Sequence, residues 1–288
     1  MKPASFNYHR PDSVEEAIAI LAEVAEDNGR ILAGGQSLMP MMALRLAQPE
    51  HLIDINEIPS LNKLDINAEK IKIGALVRHA HFHDDIVTGP LGGLLKKVSH
   101  NIAHYPIRQR GTFCGSVAHA DPASEWCMVA ATLNATMEIQ SLKGTRMLDA
   151  ESFFQGAMAT ALEAEEMLTA VHIPLLRSTE QFGFYEFNRR PGDFATAMCL
   201  VTLEVENNLI SSIRLGIGAA EDIPLRLMEA EALLLGNAAT NENIMAAANL
   251  AADSITPLTS AQISAPYRRQ IVKTVVIRAL QQALGKSE

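Results

Sequence analysis

Little in this chain invites the common readings. It has three cysteines in 288 residues. Cys114, Cys127 and Cys199 are odd in number and lack CxxC spacing, which argues against a disulfide framework or a cysteine-based zinc site. It lacks basic surplus: 24 Lys and Arg stand against 33 Asp and Glu, a formal charge of −9. With no basic, aromatic-interleaved block, nucleic acid is not an expected partner. No window supplies the roughly 20 apolar residues of a spanning helix, and the N-terminus has no signal-like apolar core. The expectation is a soluble, cytoplasmic protein with no membrane span. The familiar nucleotide fingerprints are also missing. GxxxxGK[ST] does not occur, and "GIGAAE" (216–221) is a lone GxG after a hairpin strand, outside any βαβ unit.

What is present is apolar content (48%), enough for a substantial core in one large or two modest domains. "SVEEAIAILAEVAEDNG" reads as a helix opened by a Ser13/Glu16 capping box and stopped at Asn28-Gly29. "RIL" reads as a short strand running into Ala33-Gly34-Gly35, with Ser37 capping a short helix to about Ala47. "HLIDI", "KIKIGALV" and "MLTAVHIP" read as strands, and "ATMEIQSLKGTRMLDA" as a hairpin around Lys143-Gly144. Helices are expected over 79–87 and 91–104, and "RQRGTFCGSVAHADPASE" (108–125) as a loop. After the linker "LLRSTEQ", a long hairpin turns at Asn207-Asn208. Three helices follow near 224–235, 241–254 and 266–285. Strands followed by helices suggest a separate α+β unit.

Two loops carry the chemistry. In "AGGQSL", Gly34, Gly35, Gln36 and Ser37 fit either a bare strand-to-helix turn or an anion cradle of successive N–H groups. In "GTFCGSVAHADP", Gly111, Thr112, Gly115 and Ser116 offer further donors. Asp121 offers a carboxylate that serves as a ligand contact, a helix cap, or both. Two such loops suit two portions of one extended ligand. "HAHFH" places His79 and His83 four apart; without further ligands, surface or capping histidines are expected, and no metal. His119 has the better claim to ligand proximity. The Met39, Met41, Met42 cluster reads as packing, and Cys114 as an inert thiol. "NRRPGDFATA" (188–197) is either a turn with solvated charges or a loop reaching over the ligand, with Arg189 or Arg190 and Phe194 offered to a planar, anionic ring.

With "FNYHRPDSVEEAIAIL", "LAGGQSLMPMMALRLAQPEHLIDI", "KIKIGALVRHA", "IRQRGTFCGSVAHADPASE", "EEMLTAVHIP" and "GDFATA" in hand, the chain resembles the FAD-binding (medium) subunit of molybdenum hydroxylases. Carbon monoxide dehydrogenase and xanthine dehydrogenase are members of that group. The resemblance implies an α+β fold. Residues 1–175 would be a two-part FAD-binding domain of the vanillyl-alcohol-oxidase type (about 1–57 and 58–175), and 178–288 a smaller α+β domain. It implies non-covalent FAD, with the ADP pyrophosphate along Ala33, Gly34, Gly35, Gln36, Ser37 and Leu38 and along Gly111, Thr112, Cys114, Gly115, Ser116 and Ala118. Asp121 would lie near the ribose or flavin chain. Met167 and Leu168 would approach the isoalloxazine, with Tyr185, Arg190, Asp193 and Phe194 beside it. Three departures stand out. Cys114 replaces a glycine of the usual second loop, the lysine that some relatives carry near the flavin is missing from Tyr185 to Arg190, where Arg189 or Arg190 would substitute, and Phe194 stands where some relatives have Tyr. The resemblance implies an oxidoreductase subunit with no catalytic acid or base of its own. Molybdopterin would sit on a large partner subunit and [2Fe–2S] clusters on a small one, and an external acceptor would take the electrons. Alternatives are a stand-alone flavin oxidoreductase of the same fold and a non-catalytic nucleotide-binding regulatory protein.

Overall fold

The computed structural model describes residues 2–286. Its order begins with three short strands that pair in parallel, Asn7–His9 against His51–Asp54 against Gly29–Leu32. Parallel strands need crossovers. The first is the helix Val14–Glu23, whose N-terminus Ser13 caps by accepting from the Glu16 N–H at 3.2 Å. The Glu16 carboxylate reaches back one residue further than the expected box, to the Asp12 N–H at 2.9 Å. The second crossover holds the glycine pair and a helix, Leu38–Ala43, shorter than the expected run to Ala47.

Next comes a five-stranded antiparallel sheet in the order Leu64–Ile66, Lys70–Gly74, Met167–Pro174, Thr136–Ser141, Gly144–Asp149. Its central strand is the buried "MLTAVHIP", with a register shift between Leu168 and Ala170. The helix Gly89–Asn101 follows a 3₁₀ segment, His79–His83, where a longer helix was expected. The expected loop 108–125 is corrected: it contains the helix Phe113–His119. One apolar cluster joins these elements, with Trp126, Phe82 and Phe113 fully buried at its centre.

The remainder is a four-stranded antiparallel sheet, Gln181–Phe187, Ala197–Glu206, Leu209–Gly218 and Leu225–Arg226. Its hairpin turns at Asn207 and Asn208, both at positive φ, the conformation that tight hairpins demand. The helices Met228–Leu234, Asn241–Asp253 and Ala265–Ala283 cover one face and form a second apolar cluster. The long helix lies so close to the first strand that a Cβ on Gly183 would meet the Ala279 carbonyl at 1.9 Å. Among the described residues no helix is long and apolar enough to cross a membrane.

Candidate functional site

The strand Gly29–Leu32 delivers the chain to the first glycine loop. Gly35 has φ +69°, a conformation that costs an L side chain. Gly34 answers to packing instead. A Cβ there would meet the Arg110 carbonyl oxygen at 2.4 Å and Gly111 Cα at 2.7 Å, so the two glycine loops touch backbone to backbone. The local consequence is unusual. Among the described residues, none of the six successive N–H groups from Ala33 to Leu38 donates to a protein acceptor. Ser37 occupies the cap position but its hydroxyl caps nothing. The Gln36 amide donates to the Gly34 carbonyl at 3.0 Å and stiffens the turn.

The second loop is tied down. Thr112 Oγ1 accepts from the Gly115 N–H at 3.0 Å and caps the helix Phe113–His119. The His79 N–H donates to the Gly111 carbonyl and the Phe113 N–H to the Val77 carbonyl, both at 3.0 Å. Cys114 faces inward: 2% exposed, its thiol donates to the Ile73 carbonyl at 3.3 Å. Burial pushes that thiol's pKa up, which makes it inert. The residue that departs from glycine therefore places its Cβ in the core. The Thr112 and Cys114 N–H groups have no protein acceptor among the described residues.

A brace holds the loops in register. Arg78 donates to the Arg110 carbonyl and, at 2.6 Å, to Asn56 Oδ1. The Asn56 amide donates to the Ala33 carbonyl at 2.9 Å. Asp54 accepts from Tyr8 at 2.6 Å and from the Asn56 N–H at 3.0 Å. Burial pulls the Asp54 pKa upward, but these hydrogen bonds outweigh it and hold the carboxyl below its ordinary value.

His79 was expected at the surface and is corrected. It is 4% exposed, and its Nδ1 accepts from Trp126 Nε1 at 2.9 Å. Burial, then the charges of Arg78, Arg108 and His83, lower its pKa to about 3. His83 stacks on His100 with ring centroids 4.3 Å apart. On a 3₁₀ segment, with three residues per turn, His79 and His83 do not share a face. Among the described residues no group of three or more His, Cys, Asp or Glu could hold a metal ion.

These loops wall a cleft of about 830 Å³, within the range of ~300–1,000 Å³ usual for small-molecule sites. It runs from Asn28–Leu38 past Gly111–Ser116 to Met158–Thr160 and Leu162–Leu168. Ala33, Gly34, Gly35, Gln36, Ser37 and Leu38 line it, as do Gly111, Thr112, Cys114, Gly115, Ser116, Ala118, Met167 and Leu168. So do His119 and, unforeseen, Ala75, His79 and the 158–166 segment. The structure does not bring five predicted residues into this lining. Asp121 turns to accept from the Ala123 N–H at 2.8 Å, while Ser124 takes the cap position of the helix Glu125–Thr132. Tyr185 lies under Arg278, 5.1 Å from guanidinium carbon to ring centroid. Arg190 and Asp193 close their own turn through the Asp193 N–H to the Arg190 carbonyl at 3.0 Å. Phe194 is 76% exposed. Free N–H groups massed at a helix start, with no competing carboxylate bonded to them, fit an anionic group such as a diphosphate.

Comparison with known proteins agrees with that chemistry. Residues 4–176 match the FAD binding domain in molybdopterin dehydrogenase, and residues 182–283 match the CO dehydrogenase flavoprotein C-terminal domain. The nicotine 6-hydroxylase medium subunit of Paenarthrobacter nicotinovorans is 35% identical over 98% of this chain and 99% of its own. The carbon monoxide dehydrogenase medium chain of Hydrogenophaga pseudoflava is 34% identical over 99% of each. In solved structures, carbon monoxide dehydrogenase from Hydrogenophaga pseudoflava superposes with TM-score 0.95 at 35% identity over the whole of both chains. Quinoline 2-oxidoreductase from Pseudomonas putida 86 superposes with TM-score 0.94 at 34% identity over 99% of each. The chain belongs to the family of FAD-binding medium subunits of the molybdenum hydroxylases.

Proposed function

We propose that this chain is the electron-transfer flavoprotein subunit of a three-component molybdenum hydroxylase. The observation that carries the site is the run of six N–H groups, Ala33 to Leu38, without protein acceptors among the described residues, in one cleft with the free Thr112 and Cys114 N–H groups of the second loop. A diphosphate placed there accepts from donors that no protein group engages. Gly34 to Leu38 and Thr112 to Ser116 hold it, and the far end of the cleft, at Met167 and Leu168, takes the isoalloxazine. Held without a covalent link, FAD supplies the means to receive electrons and pass them on. We assign the first 175 residues to a two-part FAD domain of the vanillyl-alcohol-oxidase type, divided near residue 57. Residues 178–288 form a C-terminal α+β domain.

The reading places molybdopterin on a large partner and [2Fe–2S] clusters on a small one. Electrons from the small partner reach the FAD and leave to an external acceptor, in the cytoplasm. The test is spectroscopic and hydrodynamic. The protein purified natively is expected to show oxidised-flavin bands and to co-purify with two other chains, one holding molybdenum. A chain that takes up no FAD at saturation overturns the cofactor reading. A yellow chain that turns over alone overturns the three-component reading.

A further inference from the structure

We propose that His79 is a positioning residue for the cofactor, whose Nε2–H donates a hydrogen bond to the diphosphate where the two glycine loops meet. This rests on the FAD reading above. Three observations carry it. The first is the tautomer. The indole N–H of Trp126 is a donor only, and it points at His79 Nδ1 from 2.9 Å. Nδ1 must accept, so the ring proton sits on Nε2. The second is the lack of a partner. Among the described residues Nε2 meets no protein acceptor, although the ring is 4% exposed and belongs to the cleft wall. Nε2 is open to the cleft rather than sealed in the core, so a ligand oxygen can take the place of solvent on it.

The third is place. A Cβ on Gly111 would lie 2.5 Å from Nε2, so the missing side chain keeps that nitrogen open. Gly111 in turn touches Gly34, the first glycine of the run of free N–H groups. His79 and both glycine loops line one cleft, and among the described residues no carboxylate is bonded to the free N–H groups there; an anionic oxygen is the acceptor that suits such donors. The groups facing His79 are Arg78 and Arg108, His83 on its own segment, and the Trp126 indole. They and its burial oppose a second ring proton. The donor is therefore neutral, and its hydrogen bond to the ligand is independent of pH over the physiological range.

The test uses the full chain stripped of flavin, with FAD and ADP as probes; ADP carries the diphosphate without the flavin. His79→Ala is expected to weaken both ligands about ten-fold or more, the scale of a hydrogen bond to a charged group. His79→Gln, which offers an N–H at a similar reach, restores most of the loss. Affinity of the native chain stays flat from about pH 5 to 9, where this ring remains neutral. In chain labelled with ¹⁵N-histidine, one ring carries its proton on Nε2, and that resonance moves when ADP is added. His79→Ala with native affinity overturns the inference. Loss for FAD alone overturns the diphosphate assignment. If His79→Ala does not fold, His79→Gln and the ¹⁵N spectrum decide: a ring protonated on Nδ1, or a signal indifferent to ADP, overturns it. A native chain that binds no FAD overturns the functional reading instead.

Discussion

The two glycine loops look alike in sequence and work in opposite ways. In the first, the backbone is left unsatisfied. Among the described residues six N–H groups have no protein acceptor, and Ser37 declines to cap. In the second, the backbone is mostly consumed. Thr112 caps, Gly111 and Phe113 bond to the His79 N–H and the Val77 carbonyl, and Cys114 fills the core. The first loop presents donors; the second fixes the platform against which they are aimed. The contrast also separates two uses of glycine. Gly35 supplies a backbone angle, whereas Gly34 and Gly111 supply room for another backbone or ring to come close.

The contact between the loops is the feature to break first. Gly34→Val would thrust a side chain at the Arg110 carbonyl and Gly111 Cα, both main-chain atoms that cannot swing aside. The loops must separate, and their donors no longer converge. We expect FAD affinity to fall about 100-fold or more, since overpacking against backbone costs up to ~3 kcal/mol. Titration of stripped protein with FAD, read by quenching of flavin fluorescence, checks it. An affinity within a few-fold of native would show that the loops act independently.

Acid should undo the two loops at different pH. His79, beneath the second, has a folded pKa of about 3 against an ordinary 6.5. A depressed histidine means the unfolded chain binds the extra proton first. Stability is therefore complete above about pH 6.5 and falls as pH drops toward 3, by up to ~1.4 kcal/mol per unit for this one group. Asp54, bracing the first loop, also has a lowered pKa, but from 3.8. Its contribution is present above 3.8 and is lost only below it. Burial, and for Glu125 the neighbouring Glu186 charge, raise the pKa values of this carboxyl pair, which tilts the whole protein the other way. The measurement is thus a difference. Urea unfolding of His79→Gln should lose about 2 kcal/mol less than native between pH 6.5 and 4.5. Asp54→Asn should follow native over that interval. Identical slopes for native and His79→Gln would show that the ring titrates freely.

This asymmetry explains what could be read in advance. The first loop was legible because its signals are local: an apolar strand, two glycines, a small polar residue, a helix. The hairpins at Lys143-Gly144 and Asn207-Asn208 were legible for the same reason. The second loop was read as irregular because Gly, Ser and Thr fill it, residues weak in isolated helices. Its helix exists through tertiary support: the Thr112 cap, the Phe113 and Trp126 rings, and the Ile73 carbonyl above Cys114. "HAHFH" misled likewise. Nothing in five residues announces that a tryptophan 47 positions on will hold one ring in the core. Asp121 offered two local readings and took a third, a turn onto Ala123.

The smallest expected effect is the sharpest test of the contrast, because it compares two hydroxyls in matched positions. Each of Ser37 and Thr112 follows a glycine-bearing turn and opens a short helix. Thr112 has extended dihedrals (φ −118°, ψ 151°), the geometry that lets a cap side chain reach the third N–H beyond it, and it does so at 3.0 Å. Ser37 is already helical (φ −100°, ψ −50°), which swings its hydroxyl away from those donors. Thr112→Ala should therefore cost about 1 kcal/mol of stability in the flavin-free chain, and Thr112→Ser should recover most of it. Ser37→Ala should change the same quantity by less than about 0.5 kcal/mol, the scale of a substitution that removes no contact. Equal costs at the two sites would mean that the first loop caps its helix after all and that its N–H groups are not held free for a ligand.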